Sequence, residues 1–371
     1  MKRSTKILIH SGTIFLSAIY LASCFTPYIN PAKFWPFTFL ALAFPVIAAS
    51  MIVLSIAWLF FKRKISLLLL LIFFAGFKNL SSVFAVNPSP SFQAQKSRTD
   101  LRILSWNVRG FDNNAKHAEN PDSTRRKMIN FLKETDADIL LFQEYMDYQN
   151  PALYSNTQML HDSLGYKYYY TSKDLVSTPS YGPYETGSAI FSKIPISDSL
   201  ILCYNNLPLK ECAISADIVF NNNKLRLITT HLVSMNLKKG HIDRSDEAYK
   251  RYDSNFIFSS SKFTKLRHYD SVHSNQAFAL KNFANNSPVP VIISGDFNAT
   301  PSSFTYHTIK GNLQDAFVQK GFGIGRTYSS LSPTLRIDFL LLDNSFEVVR
   351  YKCPTLYLSD HFPLITDIRW R

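Results

Sequence analysis

Two long apolar runs near the start constrain this chain more than anything downstream. Residues 7–25 are nearly all apolar. A helix of that length rises about 28 Å, close to the hydrocarbon core of a bilayer. Residues 37–61 form a second apolar run, long enough to span with tilt. A cleaved signal peptide would account for the first run alone, and the second follows at once, which favours membrane helices. A third run begins at Ile65 and is continuously apolar over residues 67–74. It reaches about Val86 if Lys78 is tolerated inside it, so it is the least secure of the three.

The charge pattern has the same origin. The formal net charge is +13, which by itself would suggest a polyanionic partner. Residues 1–98, however, hold ten Lys or Arg and no Asp or Glu, leaving 30 basic against 27 acidic residues beyond them. The excess sits beside the apolar runs, where basic residues fix orientation. Lys2, Arg3 and Lys6 precede the first run, and Lys62, Arg63 and Lys64 follow the second. Both clusters are expected on the cytoplasmic side. Three crossings, the reading favoured here, would make this a multi-pass membrane protein with the rest of the chain outside the cytoplasm; two would leave it inside. The near-neutral remainder neither requires nor excludes nucleic acid.

These signals divide the chain into a membrane segment of about three helices (1–86), a Pro-, Ser- and Gln-rich linker (87–100) and one large domain (101–371). In the domain, residues 101–108, 139–142, 166–171, 187–191, 213–220, 225–231, 289–294, 336–342, 346–351 and 363–369 read as strands. Asn221-Asn222-Asn223 reads as a hairpin turn. Residues 121–134 and 261–284 carry helical spacing. Hairpins mixed with helix crossovers predict an α/β sandwich of two packed mixed sheets with helices outside. Residues 232–260 are long, polar and weakly patterned, as functional loops often are. The tyrosines of 166–170 read as an ordinary aromatic strand rather than a base-stacking platform. Cys203, Cys212 and Cys353 have no metal-ligand spacing. Cys203 and Cys212 could pair, but they read first as buried free thiols.

The chemistry is concentrated where polar residues interrupt apolar strands. Asn107 ends the first strand, Gln143-Glu144 the second, His231 a later one, and Asp296-Phe297-Asn298 the next. Asp338 opens an apolar run, and Asp360-His361 precedes the last. Each has an ordinary structural explanation: caps and Asx-turns, a rim carboxylate, a salt bridge between Asp338 and Arg336, or satisfied core histidines. Together they supply one chemistry. Phosphoester hydrolysis needs oxygen ligands for a hard divalent cation, a base for water, and donors for phosphate charge.

The motifs LSWNVRG, DILLFQE, GSAIFSKIPI, ITTHL, SGDFNATP, RIDFLLLD and SDHFPL, spread over residues 101–371, resemble the endonuclease/exonuclease/phosphatase superfamily. The resemblance implies a four-layer α/β sandwich and Mg²⁺- or Mn²⁺-dependent hydrolysis of a phosphoester. The substrate, nucleic acid or lipid or inositol phosphate, is left undecided. It implies metal ligation by Glu144, with Asn107 and Asp360 beside it. It implies that Asp296 handles the attacking water and that Asn298 donates to phosphate. His361 would sit at the scissile phosphate with Asp338 fixing its tautomer, and His231 would hold phosphate or protonate the leaving oxygen. A catalytically inactive membrane-bound binding module on the same fold is the alternative. It would be expected to lack one of Asn107, Glu144, Asp296, Asn298, Asp338 or His361, and all are present.

Overall fold

In the computed structural model of the chain, residues 3–88, 96–111, 123–148, 155–177, 183–204, 211–234, 262–330 and 332–371 are described. Residues 89–95 of the linker, the first residues of the predicted helix at 121–134 and nearly all of the polar stretch 232–260 lie outside them.

Four helices come first: α1 (Arg3–Ser23), α2 (Pro36–Phe61), α3 (Arg63–Ala75) and α4 (Phe77–Val83). The first two are each long and apolar enough to cross a membrane. The third apolar run breaks at Gly76, and α3 and α4 meet at a 67° bend. Tyr20, Phe44, Met51, Trp58 and Leu69 pack between the helices.

Strand β1 (Ala85–Val86) leads into the domain, whose strands form two mixed sheets. The seven-stranded sheet contains β2 (Leu101–Asn107), β3 (Ile139–Tyr148), β4 (Tyr168–Thr171), β5 (Leu175–Ser177), β6 (Tyr184–Ser192), β14 (Phe346–Lys352) and β15 (Leu364–Trp370). The six-stranded sheet contains β7 (Ile196–Cys203), β8 (Cys212–Phe220), β9 (Asn223–His231), β10 (Val291–Asp296), β11 (Gln314–Asp315) and β13 (Asp338–Leu342). Strand β12 (Phe322–Gly323) pairs with β1.

The strands follow the apolar pattern. Ile103, Ile139, Leu141 and Ile190 of one sheet meet Ile214, Leu227, Ile292 and Leu340 of the other in a dry central layer. Each sheet buries its second face under helices. Helices α5 (Thr124–Thr135) and α6 (Asn156–Leu164) cover the seven-stranded sheet over Trp106, Met128, Leu140 and Phe142. Helices α7 (Lys262–Asn285) and α8 (Phe304–Lys310) cover the other over Ile293, Ala277, Leu280 and Tyr306. Short helix α9 (Ala316–Lys320) follows β11. The architecture is thus the expected sandwich of two packed mixed sheets between outer helices, preceded by a helical segment.

Local signals were obeyed where chemistry demanded it. Asn221 and Asn222 both take positive φ, 51° and 63°, in the turn that joins β8 to β9. Ser123 caps α5 by accepting from Arg126 N, and Ser155 caps α6 by accepting from Gln158 N. Tyr168–Thr171 is an outer strand of its sheet, with Tyr166 buried just before it and bonded to Ala137 O.

The cysteines require a correction. Cys203 and Cys212 are not free thiols; they form a disulfide, and Cys24 and Cys353 are free. The β7–β8 register sets the two cysteines directly opposite each other at the end of an antiparallel pair, with Cα atoms 4.1 Å apart.

Candidate active site

The two sheets bring their polar strand ends to one rim. Parallel pairing of β2 with β3 puts Asn107 beside Gln143. Parallel pairing of β9 with β10 puts His231 beside Asp296, and antiparallel pairing of β10 with β13 puts Asp296 beside Asp338. His231, Asp296 and Asp338 therefore form a row across one sheet, facing Asn107 on the other.

Two backbone devices aim the carboxylates. The β3–β6 register shifts between Phe142 and Tyr145, and Glu144 sits in this bulge at φ 49°. The strand does not stop at Phe142, as the polar Gln143-Glu144 pair suggests, but continues through the bulge to Tyr148. Before Asp296, Gly295 has φ 152°, and a Cβ there would lie 1.9 Å from Thr230 O. Only glycine lets β9 and β10 approach this closely beside the site.

The side chains interlock. Asn107 Nδ2 donates to Glu144 Oε1 at 3.0 Å and to Asp296 Oδ2 at 3.2 Å. His231 Nε2 lies 3.8 Å from Glu144 and 3.7 Å from Asp296. Asn298, in the left-handed region at φ 48°, donates Nδ2 to Leu232 O at 2.8 Å and lies 3.3 Å from His231 Nε2. Its own N–H closes an Asx-turn on Asp296 Oδ1 at 2.9 Å. His361 turns Nδ1 to Asp338 and holds Nε2 3.5 Å from Asp296. Arg336 takes no part in this: it pairs with Asp315 at 2.7 Å, so Asp338 is left to the histidine.

Among the described residues, the group of His, Cys, Asp or Glu close enough to share an ion is Asp296, Asp338 and His361, with ligand atoms within 4.8 Å of one another. Glu144 adjoins it through Asn107. The Glu144 side chain is 41% exposed and that of Asp296 is 2% exposed, so the cluster has an open and a closed end. Asp360 is partly buried, accepts from Ser329 N at its carbonyl, and adds negative potential at His361.

Electrostatics follow from this packing. Burial pushes Asp296 up to about 6, with Asp338 adding to the rise and both histidines opposing it. Burial opposes charge on His361, but Asp338 and Asp296 overcome it and hold the imidazole at about 10. Burial likewise opposes charge on His231, and Asp296, Glu211 and Glu144 together raise it above its ordinary value.

Several residues support the site; Gln143 already marked a polar strand end in the sequence, and the others gave no signal there. Gln143 is fully buried and ties the sheets together through Thr229 Oγ1 at 2.9 Å. Tyr328 lies against His361, ring centroids 4.8 Å apart. Thr327 Oγ1 accepts from the N–H groups of Ile337 and Asp338. Glu211 and Asp174, both partly buried, form a second carboxylate pair that feels His231. Burial raises Glu211 to about 7 and Asp174 to about 6.

Comparison with known proteins places this geometry. The catalytic domain of human Nocturnin with a bound sulfate anion is 19% identical, with a TM-score of 0.50 over 75% of this chain and 97% of that one. A Beutenbergia cavernae endonuclease/exonuclease/phosphatase is 17% identical, with a TM-score of 0.49 over 73% and 72% of the two chains. A Bacteroides thetaiotaomicron mannosyl-6-phosphatase is 16% identical, with a TM-score of 0.48 over 73% and 100%. At 19% identity the likeness to the Nocturnin domain shows the fold alone. None of the curated proteins matches the chain. Residues 6–83 match a domain family of unknown function. Residues 104–361 match the Endonuclease/Exonuclease/phosphatase family, a span that contains every candidate site residue, and the chain belongs to that family.

Proposed function

We propose that this protein is a membrane-anchored, divalent-metal-dependent hydrolase of phosphoesters, with its catalytic machinery in residues 101–371. The observation that carries the reading is the convergence of Asn107, Glu144, His231, Asp296, Asn298, Asp338 and His361 in one linked cluster. An inactive scaffold would have no reason to keep the whole set or the strained backbone that aims Glu144.

The donor set fits a hard cation. Glu144 and Asp296 are like charges held by one amide and one imidazole, and only oxygen and imidazole donors are present. Glu144 would hold Mg²⁺ or Mn²⁺, with Asn107 and Asp360 flanking it. When bound, the ion would polarise a phosphoryl oxygen and offset its negative charge. The remaining chemistry belongs to the side chains. Asp296, with its raised affinity for a proton, takes one from the attacking water as the water oxygen bonds to phosphorus. His231 gives a proton to the ester oxygen as its bond to phosphorus breaks. His361, kept charged by Asp338, faces the developing negative charge, and Asn298 donates to a phosphate oxygen.

We also infer that the helical segment crosses the membrane three times and leaves the domain outside the cytoplasm. Lys62, Arg63 and Lys64 lie at the α2–α3 junction, whereas the domain touches Thr26, Thr38 and Ser82 at the other ends of the helices. The Cys203–Cys212 disulfide suits an oxidising compartment. The test of the activity is direct. The full-length chain purified in detergent, with Mg²⁺, should release product from at least one class among phosphodiesters and phosphomonoesters. Failure with every class and both metals would reject the hydrolase reading.

A further inference from the structure

The loops that carry the site are also the loops on which the membrane helices rest. Ser302, four residues beyond Asn298, donates from Oγ to Ala41 O of α2 at 2.7 Å, and its carbonyl accepts from Thr26 Oγ1 at 2.6 Å. Arg336, two residues before Asp338, donates to Ser82 O at 2.5 Å near the end of α4, where the third apolar run closes. Thr38, in the first turn of α2, donates to Asp270 Oδ2 of α7 at 2.5 Å. These bonds fix the height of the site above the bilayer. Ala41 lies five residues into α2, about 8 Å along its axis. Four residues of extended chain reach at most about 14 Å, so Asn298 lies no further than that from Ser302. The headgroup layer is itself roughly 5–8 Å deep on each side of the hydrocarbon core. With α2 crossing a bilayer, Asn298 therefore lies within about 14 Å of a contact made near the membrane end of that helix.

The surface around these contacts has the matching composition. Phe25, Tyr28, Phe34 and Trp35 are exposed in and beside the α1–α2 connection, as aromatic residues at a membrane interface are. Arg267 of α7 lies over the Trp35 ring, 5.8 Å from its centroid. Strands β1 and β12 add Val86 and Phe322, paired with each other and 81% and 71% exposed. This apolar pair belongs to the domain side yet begins two residues after α4 ends, which continues the membrane surface onto the domain.

We propose that the substrate is an amphiphile of the bilayer, a phospholipid whose headgroup phosphate enters the Glu144–His361 cluster from the membrane plane while Val86 and Phe322 rest among the headgroups. This rests on the hydrolase reading and adds the class of molecule that carries the phosphoester. A substrate confined to the membrane is concentrated at the site without any new contact, whereas a soluble ester gains nothing from the anchor.

The test uses the full chain reconstituted with Mg²⁺ in phosphatidylcholine vesicles. Phosphatidic acid or phosphatidylglycerol, as a minor component, is compared with glycerol 3-phosphate and an aryl phosphodiester at equal bulk concentration. Hydrolysis of one of the two lipids should exceed that of the soluble esters by about tenfold or more. It should fall in proportion when more phosphatidylcholine, itself assayed for hydrolysis, dilutes the lipid at constant bulk concentration. Val86→Asp together with Phe322→Asp should slow lipid hydrolysis several-fold and leave any aryl ester rate unchanged. Soluble esters turned over while both lipids are untouched, or a lipid rate indifferent to dilution, would overturn this proposal and leave the hydrolase reading standing. Hydrolysis of none of the four would overturn this proposal, and the hydrolase reading falls with it only if every other phosphodiester and phosphomonoester class also fails with both metals.

Discussion

His361 presents Nδ1 to both carboxylate oxygens of Asp338, at 3.0 Å and 3.1 Å. Burial alone would favour the neutral imidazole; Asp338 and then Asp296 reverse that and hold it at about 10. Asp338→Asn keeps the shape and removes the charge. Turnover should fall on the order of 10³-fold with KM little altered, since the amide cannot stabilise an imidazolium. The same pair has a stability signature. A histidine whose folded pKa is raised stabilises the fold fully below its unfolded value, about 6.5, and loses that contribution as pH rises to about 10. In metal-free protein, urea unfolding should therefore show a gap between wild type and Asp338→Asn that is widest near pH 6.5 and closes towards pH 10. A gap independent of pH would mean the two residues are not coupled.

Glu144 is the half-exposed carboxylate of the cluster, held by Asn107 and within 4 Å of His231. Glu144→Ala should cost turnover on the order of 10³-fold, equivalent to about 4 kcal/mol of transition-state stabilisation. The fold should survive, because the side chain is 41% exposed at a bulge and Asn107, its hydrogen-bond partner, keeps a second bond to Asp296. Circular dichroism and melting without metal should match wild type. A variant that retains its Mg²⁺ dependence and rate would remove Glu144 from the site.

Glu211, which is not itself among the proposed metal ligands, offers a second pH test in metal-free protein. Burial raises it to about 7 from 4.5; Asp174 and Glu144 add to the rise, while His231 and the Gln276 hydrogen bond oppose it. A carboxyl whose folded pKa is raised costs stability as pH climbs from the unfolded value to the folded one. Glu211→Gln should leave stability unchanged below about pH 4.5 and raise it by about 3 kcal/mol at pH 8. Equal stability of the two proteins at pH 8 would show that Glu211 is not held in a desolvated site.

The disulfide makes a chemical prediction. Denatured, unreduced protein should take up thiol reagent at two positions, Cys24 and Cys353, and at four after reduction. The bridge closes a short loop, with a sequence separation of 9, so its loss should cost about 2–3 kcal/mol. Four reactive thiols before reduction would refute the pairing and weaken the case for an oxidising compartment.

Much of this was legible in the chain because chemistry and periodicity coincide at the strand ends. Asn107, His231, Asp296 and Asp338 each terminate or open an apolar strand, and parallel and antiparallel pairing then forces them onto one rim. What stayed hidden depends on register. Strand β7 alternates weakly and lies at a sheet edge, so Ile196–Cys203 does not announce itself, and without it Cys203 and Cys212 cannot be seen to face each other. The bulge at Gln143–Glu144 looks like a strand end in sequence. Glu211 and Asp174 sit in stretches with no pattern, and only the folded chain brings them to His231. The helical segment was legible from hydropathy, but its 67° bend at Gly76 and its hold on Ser302 and Arg336 are tertiary facts.

The central claim is that the linked cluster hydrolyses phosphoesters with a divalent cation. Its most direct test is a Mg²⁺ titration of full-length protein stripped with EDTA, run beside Glu144→Ala, with phosphoester cleavage as the readout. The account predicts no turnover in EDTA, saturable recovery with Mg²⁺ in wild type, and little or none in the variant. Full activity in EDTA, or equal recovery in Glu144→Ala, would contradict it.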